Sequence, residues 1–219
     1  SNLLYLLQHE GTPEEESRQF LTLAQGELTR VTQISRAMLS LYREARAPVP
    51  VNLKDMLDDL LLLMERRFQD LGVTISADLP PNITVEGFPA ELRQVFTNLI
   101  TNAAEAAGQG GSIAIRVTPR PASVDASGLK LEPGALIEIA DSGPGISPET
   151  RQHLFEPFFT TKGEHGTGLG LWVSQGIIRK HAGTLELLPQ DRHTNNGPAI
   201  GTIARVFLAT KPIIDPGGD

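Results

Sequence analysis

Four short motifs stand in a fixed order along the second half of the chain. They are Asn98-Leu99-Ile100-Thr101-Asn102, Asp141-Ser142-Gly143-Pro144-Gly145, Phe155-Glu156-Pro157-Phe158-Phe159 and Gly166-Thr167-Gly168-Leu169-Gly170. The first lies within a predicted helix, the second closes a predicted strand, and the fourth opens another helix. Any one of them alone is a weak signal. The four in one order are hard to reach by chance, and they demand a fold that gathers helix faces and strand ends at one place.

The chemistry of each can be read from its residues. Leu92, Val95, Phe96, Leu99, Ile100 and Ala103 recur at helical spacing, which predicts an amphipathic helix. Asn98 and Asn102 are four residues apart, so both carboxamides share one face of it. Two neutral carbonyl oxygens side by side suit a hard cation such as Mg²⁺, which keeps several waters and shares its site with phosphates. Two Asn facing solvent or capping backbone is the plainer reading of such a pair, and the other motifs argue against it. Asp141 ends the alternating run Ala135–Ala140, where a carboxylate can accept a hydrogen bond from the amino group of a planar ligand. Gly166, Gly168 and Gly170 precede Leu171–Ile178, and glycine-rich backbone at a helix start offers N–H groups to anionic phosphate. This is not a dinucleotide fingerprint, because Gly163-Glu164-His165 rather than a strand comes before it. Nor does a Lys follow the last glycine, as a phosphate loop requires.

Together these motifs resemble the N, G1, F and G2 boxes of sensor histidine kinases, within the superfamily that includes gyrase, heat-shock chaperone and mismatch-repair ATPases. The resemblance implies an α+β fold: a two-layer α/β sandwich of the GHKL (Bergerat) type, preceded by a helical hairpin that pairs into a dimeric four-helix bundle. It implies ATP and Mg²⁺ as cofactors. Asn102 would ligate Mg²⁺, Asn98 would support the metal or the phosphates, and Asp141 would bind the adenine amino group. Gly143, Gly145 and Ile146 would shape the pocket floor, and Gly166, Thr167, Gly168, Leu169 and Gly170 the hinge of a lid over the phosphates. Lys162 reads as a phosphate contact or as a solvated lid lysine, and Thr202, on the strand that resembles the family's last one, as a residue that helps hold the adenine. Phe155, Phe158 and Phe159 are expected to pack the base of the lid rather than touch nucleotide. Hydrolytic members of the superfamily carry a Glu where this chain has Asn98. A carboxamide lacks the basic lone pair that would activate water, so the resemblance favours phosphoryl transfer to another nucleophile. A nucleotide-binding adaptor whose ATP state gates a partner is the alternative.

In such kinases the acceptor is a histidine, and the chain holds His9, His153, His165, His181 and His193. His9-Glu10 is followed at once by Gly11-Thr12-Pro13, which stops a helix. Leu21, Ala24, Leu28, Val31, Met38 and Tyr42 then trace a coiled-coil-like seam over Glu14–Arg46. That pattern resembles the second helix of the hairpin, which places the acceptor three helical turns before His9 and upstream of Ser1. The expected organisation is a partial hairpin over 1–47, a stiff linker at Ala47–Pro50, a catalytic domain over 51–211 and a disordered tail over 212–219. Helices are predicted from Asn52 to Leu71, over 89–107 and over 169–182. A mixed sheet is predicted from strands at 73–77, 84–86, 112–117, 135–140, 184–188 and 201–208, with loose segments at 119–134 and 189–199. The expected partners are a second copy through residues 1–46, a response-regulator receiver domain and an upstream sensor.

Composition adds exclusions. With 19 basic and 26 acidic side chains the net charge is −7, which argues against a nucleic-acid surface. There is no cysteine, hence no disulfide and no thiolate chemistry, in keeping with a cytoplasmic location. No apolar run reaches bilayer length, and no signal peptide stands at Ser1, so membrane contact is left open.

Overall fold

The computed structural model describes residues 47–124, 130–163, 166–194 and 197–210. The predicted hairpin and the tail lie outside them. Val49–Asn52 form strand β1, and Asn52 caps helix α1 (Leu53–Leu71) by accepting from the N–H groups of Lys54 at 3.0 Å and Asp55 at 3.4 Å. The helix ends where Gly72 takes the left-handed conformation. It buries Leu53, Met56, Leu57, Leu60, Met64 and Phe68 as one stripe and leaves Leu62 and Leu63 exposed.

Strands β2 (Thr74–Asp78) and β3 (Thr84–Gly87) lead to helix α2 (Pro89–Ala107), and β4 (Ser112–Arg120) follows. The short β5 (Ser123–Val124) and β6 (Lys130–Leu131) pair with each other before β7 (Gly134–Asp141). Helix α3 (Pro148–His153), helix α4 (Gly170–Lys180) and the hairpin β8 (Thr184–Thr194) and β9 (Gly197–Ala209) complete the order. The main sheet runs β2-β4-β7-β9-β8, with β2 parallel to β4 and the other pairs antiparallel. Helix α2 packs across β4 and β7, with α1 on one side and α4 on the other.

The sheet's two faces differ in chemistry. Ile113, Ile115 and Val117 of β4, Ala135, Ile137 and Ile139 of β7, and Ala204, Val206 and Leu208 of β9 are buried toward the helices. One row on the opposite face carries alternating charge through all five strands. The pairing registers align Asp78, Arg116, Glu138, Arg205 and Glu186. Arg116 lies 3.5 Å from Asp78, and Arg205 lies 2.9 Å from Glu138. Such cross-strand pairing keeps a sheet face that no described helix covers compatible with water.

His181, at the end of α4, ties that helix to the start of α2. Its Nε2 accepts from the Phe88 N–H at 3.0 Å and its Nδ1 lies 2.8 Å from the Ile177 carbonyl, so the neutral ring donates at Nδ1. The residue is buried, and that burial holds the imidazole below its ordinary pKa.

Three expectations are corrected. Residues 84–87 do not join the main sheet; they pair with β1, whose Pro50 opposes Glu86. The segment taken as a stiff linker therefore includes strand from Val49, an edge position that tolerates proline. The segment 189–199 is not loose, because β8 and β9 stay paired from Pro189↔Thr202 out to Thr194↔Gly197. Its turn residues Asn195 and Asn196 lie outside the described residues.

Candidate functional site

Asp141 is the last residue of β7, and its position in the strand turns it to the helix-covered face with Ile137 and Ile139. It is buried at the end of the core. Its Oδ1 accepts from the Gly143 N–H at 2.8 Å and from the Thr202 N–H at 3.3 Å. Thr202 faces it from β9 and is also buried. A carboxylate gripped by backbone donors has a fixed direction, which suits it to read one hydrogen-bond donor on a ligand.

Asn98 and Asn102 project from α2 on the same side as Asp141, into an open cleft of about 1900 Å³. Asn98 donates through Nδ2 to Ser174 Oγ of α4 at 3.1 Å, which fixes its carboxamide. Its Oδ1 lies so close to the start of α4 that a Cβ on Gly170 would sit 2.3 Å away. Only glycine allows that approach. Asn102 Oδ1 accepts from Lys162 Nζ at 2.8 Å. Lys162 also pairs with Glu105, one turn further along α2, and Glu105 pairs with Arg67 of α1 at 2.5 Å.

The glycine-rich segment forms the opposing wall. Gly166, Thr167, Gly168, Leu169 and Gly170 all line the cleft, as do Gly145 and Ile146. Gly168 has a φ of 64°, and a Cβ there would lie 2.2 Å from the Phe158 carbonyl carbon. The turn is thus folded directly onto the aromatic motif. Gly143 is not among the lining residues; it presses on the Ala106 carbonyl and acts on the cleft through its bond to Asp141. The aromatics divide. Phe155 packs on the core, Phe159 lines the cleft, and Phe158 is 60% exposed.

The structure therefore brings Asn98, Asn102, Asp141, Lys162 and Thr202 to one cleft. His153 is exposed and 2.9 Å from Glu156, and His181 belongs to the α2–α4 tie, so neither stands at it. His9, His165 and His193 have no described side chain. Sequence reading missed Ser174, Glu105 and Arg67. Glu105 was accessible in principle, since it follows Asn102 by three residues and shares its helix face. Among the described residues no cluster of three or more His, Cys, Asp or Glu side chains offers a metal site. A divalent ion here would rely on carboxamide oxygens and a ligand's own phosphates. The set fits that use: a cation, the Lys162 ammonium, already rests on Asn102 Oδ1.

Comparison with known proteins decides the family. The model of histidine kinase-, DNA gyrase B-, and HSP90-like ATPases matches residues 87–212, more than half of the chain. The chain belongs to that family. The family match and its relatives place it with the sensor histidine kinases, and an ATPase domain implies ATP binding. It is 37% identical over 139 residues to the C4-dicarboxylate transport sensor protein DctB of Rhizobium meliloti, covering 63% of this chain and 21% of that protein. It is 31% identical over 200 residues to sporulation kinase A of Bacillus subtilis, covering 90% of this chain and 30% of the other. The chain thus spans a third or less of these two relatives. Among solved structures, the catalytic domain of histidine kinase ThkA superposes with a TM-score of 0.61 at 25% identity, covering 76% of this chain and 98% of that one. ThkA in complex with the response regulator TrrA shares the fold at a TM-score of 0.69 and 21% identity, covering 96% and 56%. Among the described residues no helix is long and apolar enough to cross a membrane.

Proposed function

We propose that this chain is the catalytic core of a protein-histidine kinase in a two-component system. Residues 51–211 bind Mg-ATP in the cleft, and its γ-phosphoryl group passes to a histidine upstream of Ser1. Residues 1–47 are read as the remainder of the dimerising hairpin and 212–219 as a tail. A response-regulator receiver domain then takes the phosphoryl group, and an upstream sensor domain sets the rate. The protein works in the cytoplasm, with or without a membrane anchor elsewhere in the full chain.

One observation carries transfer rather than hydrolysis: among the described residues, both acids that line the cleft are already engaged. Asp141 accepts from Gly143 and Thr202, and Glu105 is paired with Arg67 and Lys162. Asn98, where a hydrolytic site needs a base, is a neutral amide donating to Ser174. The protein's work is then positioning and charge neutralisation, which is most of what phosphoryl transfer needs. Asp141 orients the purine and Thr202 holds Asp141. Gly145 and Ile146 form the floor. Asn102 and Asn98 hold the metal, which neutralises phosphate charge when bound. Gly166, Gly168 and Gly170 bring backbone toward the phosphates, with Thr167 and Leu169 between them, and Lys162 supplies a cation.

The test is to mix this chain with a protein carrying the acceptor helix and follow acid-labile phosphate from labelled ATP. Transfer that is lost with Asn102→Ala supports the kinase. ATP binding without transfer would favour the adaptor role, and steady phosphate release without acceptor would favour a hydrolase.

A further inference from the structure

At the rim of the cleft one acid is held by two cations from different parts of the chain. Glu105 Oε1 accepts from Arg67 of α1 at 2.5 Å, and Glu105 Oε2 pairs with Lys162. Lys162 also donates to Asn102 Oδ1 at 2.8 Å. All four residues line the cleft. An isolated surface ion pair contributes little, because it is solvated and costs side-chain entropy. This one differs in its geometry. The ammonium rests on the carbonyl oxygen that the nucleotide-binding reading assigns to the metal.

We infer that Glu105 is a positioning residue that parks Lys162 on Asn102 Oδ1 until Mg-ATP arrives. Two cations cannot share that oxygen without strong repulsion, so a metal that uses it displaces the ammonium. The displaced charge finds its nearest new anion in the phosphates. Arg67 remains on Glu105 throughout, so the carboxylate is not left as an unpaired anion beside the triphosphate. Lys162 thus passes from protein to nucleotide, and Glu105 sets how readily it leaves. The inference rests on the proposed Mg-ATP site and adds to it a cation that must change partners when the metal takes Asn102 Oδ1.

Calorimetry with Mg-ATP on the whole chain tests it, using wild type, Glu105→Gln, Lys162→Met and the double variant. Glu105→Gln is expected to tighten binding by about two- to fivefold, the scale of releasing one exposed ion pair. In the Lys162→Met background the same change is expected to do nothing. Unchanged or weaker binding by Glu105→Gln overturns the inference. So does equal tightening in both backgrounds, which is plain charge repulsion. No binding by the wild-type chain would instead remove the nucleotide reading itself. An independent readout is the NMR signal of isotopically methylated Lys162, assigned by its loss in Lys162→Met. It should differ between wild type and Glu105→Gln without nucleotide and coincide once Mg-ATP is added. Coincidence without nucleotide overturns the parking.

Discussion

Asp141 is buried and held by two backbone N–H groups, whereas Lys162 and Glu105 are exposed and hold each other through long side chains. One side of the cleft is built into the sheet and the other into solvated ion pairs. The strand end cannot move without breaking the β7–β9 ladder, in which Asp141 opposes Thr202. The rim can exchange partners at little cost, because exposed pairs are worth a fraction of a hydrogen-bonded buried group. Such a division suits a site that must hold a purine in one place while phosphates come and go.

The contrast can be broken first at the buried side. Asp141→Ala removes the acceptor of two N–H groups and a ligand contact together. Binding of Mg-ATP should fall by about 100-fold, and the melting temperature should fall with it. An unchanged affinity would mean that the strand end does not read the nucleotide. The next largest effect is expected at the helix junction. Gly170→Ala would drive a methyl into Asn98 Oδ1, 2.3 Å from where it would stand, and should weaken Mg-ATP by about tenfold or more. Gly176→Ala on the same helix meets nothing within 4 Å and should instead stabilise the fold by about 0.5–1 kcal/mol. Equal behaviour of the two glycines in binding titrations and thermal melts would contradict the close approach.

Ser174→Ala should act more mildly. It frees Asn98 to reorient, and a loss of about three- to tenfold in Mg-ATP affinity is expected from one neutral hydrogen bond. A smaller effect lies away from the cleft. His181 is neutral and bonded at both nitrogens in the fold, with its pKa lowered from 6.5 mainly by burial. Below 6.5 the unfolded chain binds a proton that the folded chain resists. This group's share of stability is therefore complete above pH 6.5 and declines as pH falls, by at most about 1.4 kcal/mol per pH unit. Chemical denaturation across pH 5–8, with His181→Gln as reference, measures it. The variant should lack that part of the slope.

Much of this architecture is legible in the sequence where the signal is local. The stripe of α1 follows from Leu53, Met56, Leu57, Leu60, Met64 and Phe68, and its start from Asn52. Asp141 could be placed at a strand end because Ala135–Ala140 alternate before it. What escaped depends on pairing between distant segments. Nothing in Pro48-Val49-Pro50 announces that it will meet Glu86 and Gly87. Pro189 made the far end of β8 look like a loop, although β9 carries the ladder past it. The same holds for the site. The carboxamides were readable from their spacing, but Ser174 reaches Asn98 and Arg67 reaches Glu105 only because α4 and α1 flank α2 in the folded chain.

The central claim is that the four motifs build one Mg-ATP pocket, and titration calorimetry of the chain with Mg-ATP tests it most directly. A single saturable site in the micromolar range, lost when Asn102 is replaced by Ala, is the predicted result. An absence of heat under conditions where circular dichroism shows the chain folded would contradict it.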